Sequence, residues 1–141
     1  MKQSILIAAL FFVGTIANAQ TIVGKWKTID DETGKPKSIV EIYQKGNEYF
    51  GKVVKLFRAQ SEDQDPVCDK CTDDRKGKKI IGLEIVRSLK KDGTEYKDGS
   101  IMDPKNGKTY DAKLWLEGGN LKVRGYILFM YRTQTWLPYK E

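Results

Sequence analysis

The two cysteines of the chain, Cys68 and Cys71, stand in C-x-x-C spacing inside the run from Arg58 to Lys79. That spacing serves three chemistries: a small disulfide, a redox-active pair, or half of a zinc site. A redox pair needs the motif at a helix start in a strand–helix–strand setting, and this run offers neither. Zinc would need two more ligands, and with no histidine and no further cysteine only carboxylates remain. The pair is therefore expected to form an intramolecular disulfide. Its ring is so short that loop entropy contributes roughly 2 kcal/mol, enough to fix a local turn rather than the fold.

The same run carries Glu62, Asp63, Asp65, Asp69, Asp73 and Asp74. Carboxylates at this density suit Ca²⁺, but the order lacks the Gly and Glu positions of an EF-hand loop. A solvated acidic loop balanced by Lys70, Arg75 and Lys76 is the simpler expectation, with no metal and no cofactor. Two acids on one loop do not make a glycosidase, which needs carboxyl groups flanking a cleft. The absence of histidine removes Ser-His-Asp and Cys-His catalysis and histidine general bases together. No motif for an enzyme is left.

The remaining candidates are aromatic and polar residues near the C-terminus. Arg132, Gln134 and Trp136 alternate onto one face of a strand, and Arg124 with Tyr126 onto one face of the strand before it. A guanidinium turned into an apolar interior needs a carboxylate, an aromatic ring or a ligand acid. With Tyr110, these residues form the expected ligand-binding set: Tyr110, Arg124, Tyr126, Arg132, Gln134 and Trp136. Parity alone leaves open which face is inside, since Thr133, Thr135 and Leu137 form an equally apolar set.

Those residues must be positioned by strands, because the period of the chain is two almost throughout. Ser38–Tyr43 and Tyr49–Phe57 are rich in β-branched and aromatic residues and are split by the turn Lys45-Gly46-Asn47. Strands follow at Ile80–Val86, Glu95–Met102, Tyr110–Glu117, Leu121–Ile127 and Arg132–Leu137, with Asp92-Gly93, Asp103–Gly107 and Gly118-Gly119 as turns. Counted from Trp26 this is an all-β, antiparallel eight-stranded meander. Such a meander removes its edges by closing into a small barrel, with a two-sheet sandwich as the alternative.

At the N-terminus, Lys2, the apolar run Ser4–Ile16 and Ala17-Asn18-Ala19 have the form of a cleaved secretory signal over residues 1–19. Residues 20–141 are then one domain, periplasmic or secreted, without stable membrane insertion. The residue after the cleavage point is Gln20 rather than Cys, so no lipoprotein acylation is expected there. The net charge of +6 arises from scattered lysines interspersed with acids, and no basic stripe interleaved with aromatics calls for nucleic acid.

Six ordered motifs cover nearly the whole of residues 20–141. They are Gly24-Lys25-Trp26, Asp65-Pro66-Val67-Cys68-x-x-Cys71, Met102–Tyr110, Lys113–Leu116, Val123–Tyr126 and Arg132–Trp136. Together they resemble a bacterial family of exported proteins classed as a domain of unknown function, similar in turn to the calycins, the lipocalin-like barrels. The resemblance implies a lipocalin-like barrel whose G-x-W tryptophan, Trp26, is covered at the closed end by an arginine. Arg132 best matches that role, with Arg124 second. It also implies a polar Gly- and Ser-rich hairpin where this chain has Leu128–Tyr131. The expected function is binding of a small apolar or amphipathic molecule such as a fatty acid. The alternative is an envelope interaction or maintenance module acting through the 58–79 loop, without a bound ligand.

Overall fold

A computed structural model describes residues 8–10 and 20–141. The expected leader over residues 1–19 therefore lies, apart from Ala8–Leu10, outside the described residues. The remainder is an eight-stranded antiparallel barrel in which every strand pairs with its sequence neighbour and the last returns to the first. The strands are β1 (Gly24–Ile29), β2 (Pro36–Lys45), β3 (Glu48–Leu56), β4 (Glu84–Asp92), β5 (Glu95–Asp103), β6 (Lys108–Glu117), β7 (Asn120–Ile127) and β8 (Met130–Pro138).

Alternation puts one side chain of each pair into the barrel. Trp26 faces Val40, Ile42 faces Gly51, Leu114 faces Val123 and Leu121 faces Trp136, and all belong to the buried core or touch it. The tight turns of the β2–β3, β4–β5 and β6–β7 hairpins gather at one end, which the N-terminal segment plugs with Ile22. The indole N–H of Trp26 donates to the Ile22 carbonyl at 2.8 Å. The opposite end carries the β1–β2 turn, the long 57–83 connection, the β5–β6 turn and the β7–β8 hairpin.

One strand differs from the sequence expectation. Ile80–Leu83 is not part of β4, which runs instead from Glu84 to Asp92. The apolar residues Ile80 and Leu83 are buried all the same, because the long connection folds back onto the barrel wall. Its backbone is tied by Ile80 N–H to Pro66, Cys68 N–H to Lys78 and Gly82 N–H to Val53. A short apolar run can be buried as a strand or as a tucked loop, and periodicity does not separate the two.

Cys68 and Cys71 are joined by a disulfide with Cα atoms 5.5 Å apart. Both are fully buried in the core cluster, with the Cys71 sulfur 3.8 Å from the Met102 sulfur. The expectation that the bridge fixes a merely local turn is corrected here, for it roofs the β5 wall. The loop sits so close to the β5–β6 turn that a Cβ on Gly107 would lie 1.9 Å from the Lys70 carbonyl oxygen. Gly107 also has φ +74°, so no other residue meets both demands without strain.

Candidate functional site

Inside the barrel the two halves differ. In the middle and towards the plugged end the interior is filled by side chains, and Gly51 is crowded by its two strand partners: a Cβ there would come within 2.8 Å of Ile42 Cδ1 and 3.1 Å of Val86 Cβ. Tyr49 and Tyr96 pack edge-to-face at 4.8 Å across neighbouring walls. An eight-stranded barrel has room for side chains or one small ligand, and here side chains occupy that half.

Towards the other end the inward-facing residues are half-exposed. Leu56 and Ile101 line the wall and pack against the core, and Tyr110 stands beside Ile101 at Gly125. The inner face of β8 adds Trp136, Gln134 and Arg132, which face Leu121, Val123 and Gly125. These three form a hydrogen-bonded line that climbs from the core to the rim. The Trp136 indole N–H donates to Gln134 Oε1 at 3.1 Å, and the Gln134 amide donates to Asp31 Oδ2 at 2.8 Å. Arg132 Nε meets the same Asp31 oxygen at 3.4 Å. On the adjoining wall the Thr28 and Ser38 hydroxyls bond each other at 2.7 Å, buried. The chemistry offered is one apolar wall and one polar ladder that ends in a cation at the rim.

Tyr110, Arg132, Gln134 and Trp136 thus share the inner face. Arg124 and Tyr126 do not, and their inclusion in the interior set is corrected. β7 turns Leu121 and Val123 inward, so Arg124 and Tyr126 between and beyond them must face out. Arg124 Nε donates to Thr133 Oγ1, and its guanidinium lies 4.9 Å from the Trp115 ring and 4.3 Å from the Tyr131 ring.

The expected contact of Trp26 with Arg132 is also corrected. Trp26 pairs with Pro138, and Arg132 lies six residues further along β8, about 20 Å at the usual strand rise. Antiparallel neighbours place the start of one strand beside the end of the other. Among the described residues no arginine stacks on Trp26. The residue that sequence reasoning missed is Asp31, which sits in a turn of ordinary polar composition. The antiparallel return of β8 to β1 is what sets that turn against Gln134 and Arg132.

The long loop is held down by charge. Arg75 is buried and bonds Asp73, the Glu84 carbonyl at 2.9 Å and Thr109 Oγ1 at 3.4 Å. Arg75 holds the Asp73 carboxyl down to about 2, first through the side-chain hydrogen bond. Arg87 bridges Asp74 and Glu84, and the Tyr43 hydroxyl donates to Glu84 at 2.6 Å. Desolvation, followed by that bond, pushes the Tyr43 phenol up to about 12. Of the loop acids, Asp73 and Asp74 are engaged in these pairs and Asp65 with Lys79, and no group of three or more among the described residues is gathered for a metal ion.

Residues 24–137 match the family model described as "Uncharacterized protein conserved in bacteria (DUF2147)". The chain belongs to that family. DUF2147 gives the barrel no assigned reaction, and no functionally curated protein matches the sequence. The solved structure of protein HP1028 from Helicobacter pylori, described as belonging to the lipocalin family, is similar to this DUF2147 chain with a TM-score of 0.73. The identity is 16%, over 86% of this chain and 84% of that one. At that identity the likeness extends to the fold, an all-β lipocalin-like barrel.

Proposed function

We propose that this is an exported, non-enzymatic barrel that holds one small amphipathic molecule, fatty-acid-like, in its half-open end. The observation that carries the reading is the polar ladder Trp136–Gln134–Asp31–Arg132 standing against the apolar wall of Leu56, Ile101 and Tyr110. Binding sites of this class are mostly apolar with a few placed polar groups. A ligand carboxylate would take the place of Asp31 beside Arg132 and Gln134, and its chain would lie along Tyr110 with its end above Trp136. Because the buried Tyr49 and Tyr96 rings occupy the plugged half, a short or medium chain fits this reading better than a long one. The leader-like N-terminus and the disulfide support an exported setting.

The test is calorimetric titration of the purified protein with decanoate, together with lipid analysis of a solvent extract. Saturable binding weakened about tenfold in Arg132→Ala, the loss of one charge-assisted contact, is expected. Absence of binding, or binding indifferent to Arg132→Ala and Gln134→Ala, would refute the assignment.

A further inference from the structure

The tip of the β7–β8 hairpin is the most apolar surface among the described residues. Leu128 is 88% exposed, Phe129 90% and Met130 69%, with Ile127 and Tyr131 exposed on either side. Isolated exposed hydrophobes need no explanation, but five in succession at one convex tip do. The backbone makes the choice of residue odder. Leu128 turns the hairpin with φ 55°, a conformation that suits Gly or Asn and costs a branched side chain energy. A polar, unstrained turn was open to the sequence at this point, so the tip is selected for its greasiness rather than its geometry.

Charge supplies the second observation. From Gly118 to Lys140 the chain contains Lys122, Arg124, Arg132 and Lys140 and no acid. On the outer face of the hairpin Lys122 donates to Thr135 at 2.7 Å and Arg124 to Thr133 at 2.8 Å. Among the described residues neither cation has a carboxylate partner. Elsewhere on the barrel several acids are paired with other cations, as in Asp92–Lys97, Glu95–Lys113 and Asp65–Lys79, and the one acid beside the collar among the described residues is Asp111, the strand partner of Tyr126. Between the tip and these free charges lies a collar of amphipathic rings. Tyr126 and Tyr131, 6.0 Å apart, make this collar, and the Arg124 guanidinium lies behind it between the Tyr131 ring and Trp115, the strand partner of Lys122.

We propose that this hairpin is a reversible anchor for an anionic phospholipid bilayer. Leu128, Phe129 and Met130 enter the acyl boundary, Tyr126 and Tyr131 lie at headgroup depth, and Arg124, with Lys122 two residues behind it, faces the phosphates from the water side. The order apolar tip, aromatic collar, unpaired cations is the order of polarity met on leaving a bilayer. Two residues of chain beyond the collar reach about 5–7 Å at the strand rise, within the usual depth of interfacial insertion of about 5–10 Å. A convex tip suits a soft planar surface. The anchor does not depend on what the barrel holds.

The test is vesicle co-sedimentation of the purified protein, with phosphatidylcholine alone against phosphatidylcholine mixed with phosphatidylglycerol. Partition into the anionic vesicles that falls as salt rises is expected. Phe129→Ser should weaken it roughly tenfold to a hundredfold, as the loss of one inserted ring requires. Leu128→Asn should weaken it while raising the thermal midpoint, because Asn relieves the turn; that separates anchoring from folding. Lys122→Gln with Arg124→Gln should abolish the preference for anionic lipid. No partition, equal partition into both vesicle types, or unchanged binding by Phe129→Ser overturns the proposal. So does a lipid-free dimer that Phe129→Ser dissociates, which would make the occupant a second copy of the chain.

Discussion

Arg75 shows how much one side chain can fasten. Its guanidinium is buried, and its partners come from the loop itself, from the start of β4 and from β6. A buried cation is tolerable only because Asp73 keeps its charge beside it. The Asp73 carboxyl is depressed to about 2 in the folded protein, below the ordinary aspartate value. The stabilisation from this pair is therefore complete above about pH 4 and lost as pH falls through about 2. Asp73 is 41% exposed, so solvent screens part of the effect. The expected outcome is that Asp73→Asn lowers the urea midpoint at pH 6, and that wild type and variant converge at pH 2. No gap between them at pH 6 would assign the clasp to Arg75's neutral acceptors alone. Nothing in the sequence marked Arg75 out from its neighbours Lys76 and Lys78, since burial of one cation in a basic run is settled by the packing of distant strands.

Elements were more legible than the contacts between them. The turns at Gly46-Asn47, Asp92-Gly93, Asn106-Gly107 and Gly118-Gly119 stand where Gly and Asn placed them, because turn chemistry is local. The face of each late strand was not legible, since Arg124-x-Tyr126 and Arg132-x-Gln134-x-Trp136 are equally consistent with either side. Register decides: Gly125 faces Arg132, and Val123 faces Gln134. The long connection is the other element that sequence placed only in part. Its disulfide was expected, but its burial over Met102 was not, because that depends on the loop lying back across β5. Cys68→Ala with Cys71→Ala should consequently lower stability by about 2–4 kcal/mol, ring entropy and lost packing together, and leave the barrel closed. Chemical denaturation with far-ultraviolet circular dichroism checks both parts. A loss under about 1 kcal/mol would return the bridge to a local role.

At the scale of the whole molecule, closure is the least reinforced step. β1 meets β8 in register only at Trp26 with Pro138 and Lys27 with Leu137, whereas β7 and β8 are paired from Ile127 with Met130 to Leu121 with Trp136. The seam is completed by the Tyr139 N–H to the Lys25 carbonyl, by Lys25 with Glu141, and by Asp31 with Gln134 and Arg132. Every other pairing joins strands adjacent in sequence, and only β3 to β4 spans a long connection. The seam alone brings together residues near the two ends of the described domain. Its formation has the highest entropic cost of any contact in the molecule, so hairpins should zip first and the ring should shut last. Contacts made only on shutting are absent from the folding transition state and act on the reverse rate. Ile22, the plug beneath Trp26, is such a contact. Ile22→Ala should cost about 2–4 kcal/mol, and in stopped-flow chevrons nearly all of it should fall on the unfolding arm, with refolding close to wild type. A refolding rate slowed in proportion to the lost stability would mean that the plug seats early and the hairpins assemble around it. The two-pair seam thus makes the lifetime of the closed barrel a property of its N-terminal plug, while the speed of folding belongs to the hairpins.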